Sequence, residues 1–218
     1  VVDFEEYYQG GLTMKRYFLV FLCCIITIAL TGCATLNGNE PFQYPNSLVS
    51  LQGPVDKIVG MKLLTDNRPE ADKENTIRIS DVPEKISARL FSDINSSKIY
   101  SDIHYPSRSG DMVTIEGSID RFMWKYTPEP YTVIPIVNLI LYFGIPSGHA
   151  TGTAQITLEV KNAQSGMLLG KFTESASNTS TFTLYNRNAG GSGGELADAF
   201  REVVKKLKED LINKTSYQ

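Results

Sequence analysis

Cysteine is nearly absent from this 218-residue chain, and its placement tells more than its number. The three cysteines are Cys23, Cys24 and Cys33, and none follows. A stretch from Ala34 to Gln218 without a thiol excludes a disulfide framework, a cysteine-bound zinc, an iron–sulfur cluster and a thiol nucleophile. Histidine is scarce as well. His104 and His149 are the only two, and neither His-x-His nor His-Glu-x-x-His spacing occurs, so we expect no metal site and no dissociable cofactor. Neither sign of charge dominates, with 21 Lys+Arg against 24 Asp+Glu. With no block of like charge, there is no electrostatic footprint for nucleic acid. The sequence also lacks an internal repeat and any apolar run of the roughly 20 residues that a spanning helix needs.

What is present is concentrated in Met14–Cys33, MKRYFLVFLCCIITIALTGC. Lys15 and Arg16 make a short positive segment, Tyr17–Leu30 an almost unbroken apolar one, and small residues close it. That is the layout of a secretory signal peptide. A transmembrane anchor would need a longer run, and a buried core helix would leave the basic pair and the cysteine without a reason. The ending Leu30-Thr31-Gly32-Cys33 resembles the lipobox of bacterial lipoproteins. The resemblance implies a diacylglyceryl group on the Cys33 thiol, cleavage before it and an acyl chain such as palmitate on the new amino group. It also implies outer-membrane sorting, because Ala34, not Asp, follows the cysteine, with the body expected to face the periplasm. Val1–Thr13 carry Asp3, Glu5 and Glu6 ahead of the signal, where basic charge is wanted. We read residues 1–13 as translated leader, since Gln9-Gly10-Gly11 can be encoded by a run containing AGGAGG just before Met14.

Residues 14–32 are then the signal and 33–54 a flexible tether rich in Asn, Gly, Pro and Ser. Residues 55–213 form one domain, and 214–218 a tail. In the domain, Lys57–Leu64 reads as a strand and Asp66–Asn75 as a charged loop. A helix is predicted over 82–97, capped by Ser80 or Asp81, with Pro83 in its first turn and Ile86, Leu90, Phe91 and Ile94 as its stripe. Ile99–His104 reads as a short strand. Met112–Trp124 alternates, Val113, Ile115 and Ile119 against Thr114, Glu116, Ser118 and Asp120. Thr153–Lys161 alternates as well, with Ala154, Ile156, Leu158 and Val160 inside, and continues through a turn at 162–166 into Met167–Ser175 as a hairpin. A last helix is expected over 194–213. Leu196, Phe200, Val203, Val204, Leu207 and Leu211 line one side, and Arg201, Lys205, Lys208 and Glu209 the other. The expectation is an α+β domain: an antiparallel sheet of four to five strands, one face wet and the other covered by both amphipathic helices. In element order this plan resembles the small α/β domains of periplasmic lipoproteins and the amino-terminal domain of the TolB family.

Residues 126–151, YTPEPYTVIPIVNLILYFGIPSGHAT, interrupt the pattern as an apolar insertion carrying Pro128, Pro130, Pro135 and Pro146. The segment reads either as a buried crossing helix or as a lobe that docks on an envelope protein, on a second copy or on the membrane interface. In the docking reading, Trp124, Tyr131, Ile134, Leu139, Leu141, Tyr142 and Phe143 are the contact residues. Gly190-Gly191-Ser192-Gly193-Gly194 matches the nucleophile-elbow spacing, but no histidine follows Ser192, so it reads as a link with Ser192 as helix cap. Glu116 and Asp120 share a strand face and read as a solvated rim. Lys205, Lys206 and Lys208 read as the wet side of a helix, with lipid head groups as the rival partner. We expect no catalytic residue and no enzyme. The expected role is a lipid-anchored accessory or assembly component of an envelope complex. A periplasmic lipid- or small-ligand-binding lipoprotein is the alternative and an envelope hydrolase the third.

Overall fold

The structure is a computed structural model that describes Phe42 and residues 55–75, 79–134, 141, 143–183, 185 and 193–215. The chain divides into units 1–35 and 36–218, and every described residue belongs to the second. The signal, Cys33, Leu139, Tyr142 and Ser192 lie outside the described residues.

The domain is α+β, built on a six-stranded mixed sheet. In chain order the elements are β1 (Val55–Met61), β2 (Thr65–Asp66), α1 (Glu70–Asn75), α2 (Val82–Ser96), β3 (Tyr100–His104), β4 (Val113–Pro128), β5 (Gly148–Asn162), β6 (Leu168–Phe182) and α3 (Gly194–Thr215). The sheet order is β3-β1-β4-β5-β6, with β2 paired to β4. β4, β5 and β6 form the expected antiparallel meander. The strands before them pair parallel: β1 with both β3 and β4, and β2 with β4. Helices α1 and α2 supply the crossover that a parallel β1–β3 pair requires. The stretch read as a loop over 66–75 therefore holds the end of β2 and all of α1.

Glycine at position 60 follows from how β3 hands over to β4. His104 at the end of β3 and Thr114 at the start of β4 are both level with Gly60, on opposite sides of β1. The chain thus steps across β1 between them, held by Ser107 N–H to the Met61 carbonyl and Met112 N–H to the Ile58 carbonyl, each 2.9 Å. A Cβ on Gly60 would lie 1.9 Å from Asp111 Oδ2 and 2.3 Å from Ser107 Oγ. Only glycine lets the crossing lie this close.

The core sits between the sheet and both long helices. Val59, Met61, Ile115, Ile119, Ile156 and Leu158 from the strands meet Ile86, Leu90 and Ile94 of α2 and Phe200, Val203 and Leu207 of α3 in one cluster. Alternation on β4 shifts phase at a bulge between Ile119 and Arg121. Beyond it Phe122 is fully buried and Trp124 packs against the core, because the extra residue returns even-numbered positions to the inner face. On β5 the inner positions near the start of α3 are small, Ala150, Gly152 and Ala154. A Cβ on Gly152 would meet the Leu196 nitrogen at 2.2 Å, so this glycine sets how closely α3 approaches. Phe42, from the stretch read as tether, stacks on Phe122 at 5.8 Å and meets Phe200 edge-on at 5.9 Å.

Lys208 corrects a sequence expectation. Its spacing puts it on the wet side of the last helix, yet its side chain is fully buried. Its Nζ donates to Ser97 Oγ at 2.9 Å and lies 3.9 Å from Asp93 Oδ1. The C-terminal part of α3 is covered by the end of α2 as well as by the sheet, so a flank of the helix is buried in addition to its stripe.

Candidate functional surfaces

The sheet face opposite the helices carries a continuous ladder of polar side chains. Lys62 bonds Glu116 at 3.1 Å, Lys161 bonds both Glu116 and Glu159, and Lys171 closes on Glu159 at 2.9 Å. These contacts hold the Glu116 carboxyl below its ordinary range, Lys161 first and Lys62 second. Asp120 accepts from Ser118 at 2.7 Å and from Thr157 at 2.5 Å. Glu116 and Asp120 therefore lie on the wet face as expected, but each serves its own partners. Further along, Thr153 meets Ser177 and Thr151 meets Thr179 across β5 and β6, at 3.2 and 3.0 Å. A depression of about 500 Å³ on this face is lined by Lys62, Asn67, Glu116, Thr157 and Lys171 among others.

His104 lies on β3 as expected, with Nδ1 3.0 Å from Asp111 Oδ1 and Nε2 3.2 Å from Asp102. His149 is on β5, within the stretch read as the insertion, 2.7 Å from Glu129 and 3.2 Å from Thr181. Asp111 organises the crossing loop: Ser107 Oγ–H and Arg108 N–H donate to its Oδ2 at 2.8 and 2.6 Å. Burial works to raise the Asp111 carboxyl, but His104, the Arg108 amide and Ser107 outweigh it and hold it below the ordinary range. A carboxylate depressed on folding contributes stability above its unfolded value and loses that contribution as pH falls through its folded value. Asp111→Asn is expected to cost about 2 kcal/mol at pH 7, the scale of hydrogen bonds to a charged group. The gap to the parent should narrow by pH 3 in urea unfolding, and a gap unchanged with pH would refute this.

The insertion is shorter than its sequence suggests, because β4 runs to Pro128 and β5 starts at Gly148. A 3₁₀ turn over Pro130–Val133 opens the remaining segment. Its ends are tied together by Glu129 N–H to the Ser147 carbonyl at 3.0 Å, and Ser147 N–H holds the second end to the Phe182 carbonyl at the end of β6 at 2.6 Å. Of the candidate contact residues, Trp124 faces inward and gives its indole N–H to Glu195 at 2.9 Å. Tyr131 is half-buried with its hydroxyl on the Pro146 carbonyl, and Leu141 is half-buried. Ile134 is 49% and Phe143 84% exposed. Sequence reasoning missed Tyr185, which is 71% exposed and sits against Gly144. It stands beside Leu184 outside the apolar insertion, in a stretch otherwise of Thr, Asn and Arg, too short an apolar signal to mark it.

No family model matches the chain, and no curated protein matches it in sequence. Solved structures do. Protein XCC0632 from Xanthomonas campestris, of the DUF330 family, aligns at 8% identity with a TM-score of 0.50, over 78% of this chain and 89% of that one. The PelC dodecamer from Paraburkholderia phytofirmans aligns at 12% identity and 0.40, over 77% and 91%. A minor lipoprotein from Acinetobacter baumannii aligns at 10% and 0.39, over 75% and 94%. At this identity the likeness is one of fold: the chain is structurally similar to the DUF330 protein.

Proposed function

We propose that this chain is an envelope lipoprotein, held to the outer membrane through lipid on Cys33, that works by protein contact as an accessory or assembly component. The observation that carries the contact reading is Phe143, 84% exposed next to the glycine on which Tyr185 sits. Exposed apolar side chains gathered in one place mark interaction sites, and here Phe143 and Tyr185 both stand at Gly144. Ile134 belongs to the same tied segment. A rival carrier of lipid would need an apolar lining, whereas Lys62, Glu116 and Lys171 around the wet-face depression suit a polar solute.

Photo-reactive residues placed at Ile134 and Phe143 in living cells provide the test, with Leu63, an exposed apolar residue on another part of the domain, as control. The expected result is a discrete protein adduct at 134 and 143 and none at 63. Adducts only to lipid, or equal labelling at all three positions, would overturn the contact reading.

A further inference from the structure

The two edges of the sheet are built differently. β3, at one edge, is five residues long and carries Asp102 and His104, which are usual ways of blunting an edge. β6, at the other, is fifteen residues long and is the last strand in the sheet order. From Gly170 to Phe182 it pairs with β5 without a bulge. Between Phe172 and Phe182 it has no proline, lysine or arginine, and Glu174 is its one charge. One lysine reaches this edge from outside the strand: Lys206 Nζ of α3 lies 3.3 Å from the Ser175 carbonyl. Its side chain is part-exposed, and with it turned into solvent a long edge without a bulge accepts another strand.

The sequence of that edge also says which strand. Residues 172–182 read Phe-Thr-Glu-Ser-Ala-Ser-Asn-Thr-Ser-Thr-Phe, close to a palindrome about Ser177. Laid antiparallel on itself, Ser177 falls opposite Ser177, Ser175 opposite Thr179, Thr173 opposite Thr181 and Phe172 opposite Phe182. Glu174 falls opposite Ser180, so no like charges oppose. Self-complementarity about a point is what a two-fold, isologous interface requires, since the same patch must serve both copies. Ser175, Ser177 and Thr179 are exposed and share the outer face, where Ser177 and Thr179 already join the hydroxyl ladder to β5.

We infer that two copies of this chain pair through the β6 edge, antiparallel and centred on Ser177, making one sheet across both. This names a surface for self-association within the function proposed above and rests on that reading only for the membrane setting. Residues directly opposite in an antiparallel pair have Cα atoms about 4.5 or 5.5 Å apart, inside the span of a disulfide. Ser177→Cys in the full chain, oxidised mildly in intact membranes, is therefore expected to give a covalent dimer. Ser175→Cys alone should give none, and Ser175→Cys co-expressed with Thr179→Cys should restore it. Ser175→Lys with Thr179→Lys sets like charges opposite each other and should abolish the Ser177→Cys product while leaving thermal unfolding of the monomer unchanged. No dimer from Ser177→Cys, or equal dimer from Ser175→Cys alone, would overturn the pairing. Membrane partition read in the same samples reports separately on the lipid anchor.

Discussion

Asp93→Ala is expected to be among the most damaging single substitutions in the domain, lowering stability by about 3–5 kcal/mol, the cost of breaking a buried ion pair from one side. Asp93 is fully buried, with Arg89 Nε 3.2 Å from Oδ2 and the buried Lys208 Nζ 3.9 Å from Oδ1. It is the anion between Arg89 of its own helix and Lys208 of α3, and the second contact joins α2 to α3. Removing it takes away the carboxylate that faces both cations. Lys208→Met should act in the opposite direction, because it leaves Asp93 paired with Arg89 and fills the same space with an apolar side chain. Replacing a whole buried pair by apolar side chains is neutral or stabilising by about 1–4 kcal/mol, and exchanging only the second of two cations is expected to fall at the low end of that range. The pH dependence separates this from simple packing. Burial pushes the Lys208 amine below its ordinary value, with Asp93 opposing and Arg89 assisting. A base depressed on folding binds fewer protons in the native than in the unfolded state between its two values, so stability rises with pH across that window. The rise should end near the ordinary lysine value of about 10.4 and be flattened in Lys208→Met. Urea unfolding at several alkaline pH values measures both effects. A Lys208→Met chain less stable than its parent would refute the account.

Much of the sheet was legible because its wet and dry faces alternate cleanly. Val113, Ile115 and Ile119, and later Ile156, Leu158 and Val160, point to the core as their spacing says. The reading stopped early wherever the inner residue was small or polar. At the start of β5 the inner positions are Ala150 and Gly152, chosen for closeness to α3, so no hydrophobic signal announces the strand. At the end of β6 the inner side carries Asn178 and Ser180, which bond Asp198 and Glu195 of α3. There the helix is met by hydrogen bonds, and hydrophobic periodicity has nothing to report. The parallel pairings of β1 were illegible for another reason: direction depends on the crossover through α1 and α2 for β3 and on the crossing between Tyr105 and Met112 for β4, and Gly60 is a local trace of the second. Lys208 was misjudged because a helix stripe records one packing partner, and this helix has two. The candidate contact residues divide along the same line. Trp124 falls inward because the bulge near Asp120 changes the phase of β4, which no alternation count anticipates.

Replacing Cys33 by Ala is expected to abolish the anchor altogether. The lipobox resemblance implies that incorporation of a palmitate analogue falls from stoichiometric to none. The mature band also gives way to a larger form that retains the leader, because cleavage depends on the acylated cysteine. The physical asymmetry is large. Each buried methylene contributes about 0.8 kcal/mol, so a single chain binds marginally while the two or more on a mature lipoprotein hold it stably. Once a non-lipoprotein signal is exchanged for residues 14–32 in the Cys33→Ala chain, the body should be released into the soluble periplasmic fraction. Its folded domain should be intact, since the buried members of the core cluster begin at Val59. Ala34→Asp tests the address without touching the anchor: labelling should persist while the protein moves to the inner membrane. A parent chain that takes up no label, or whose purified form still carries Met14–Gly32, would remove the membrane placement. In that outcome the contact surface at Ile134 and Phe143 and the β6 edge would stand or fall by their own cross-links, because neither is built from the lipid.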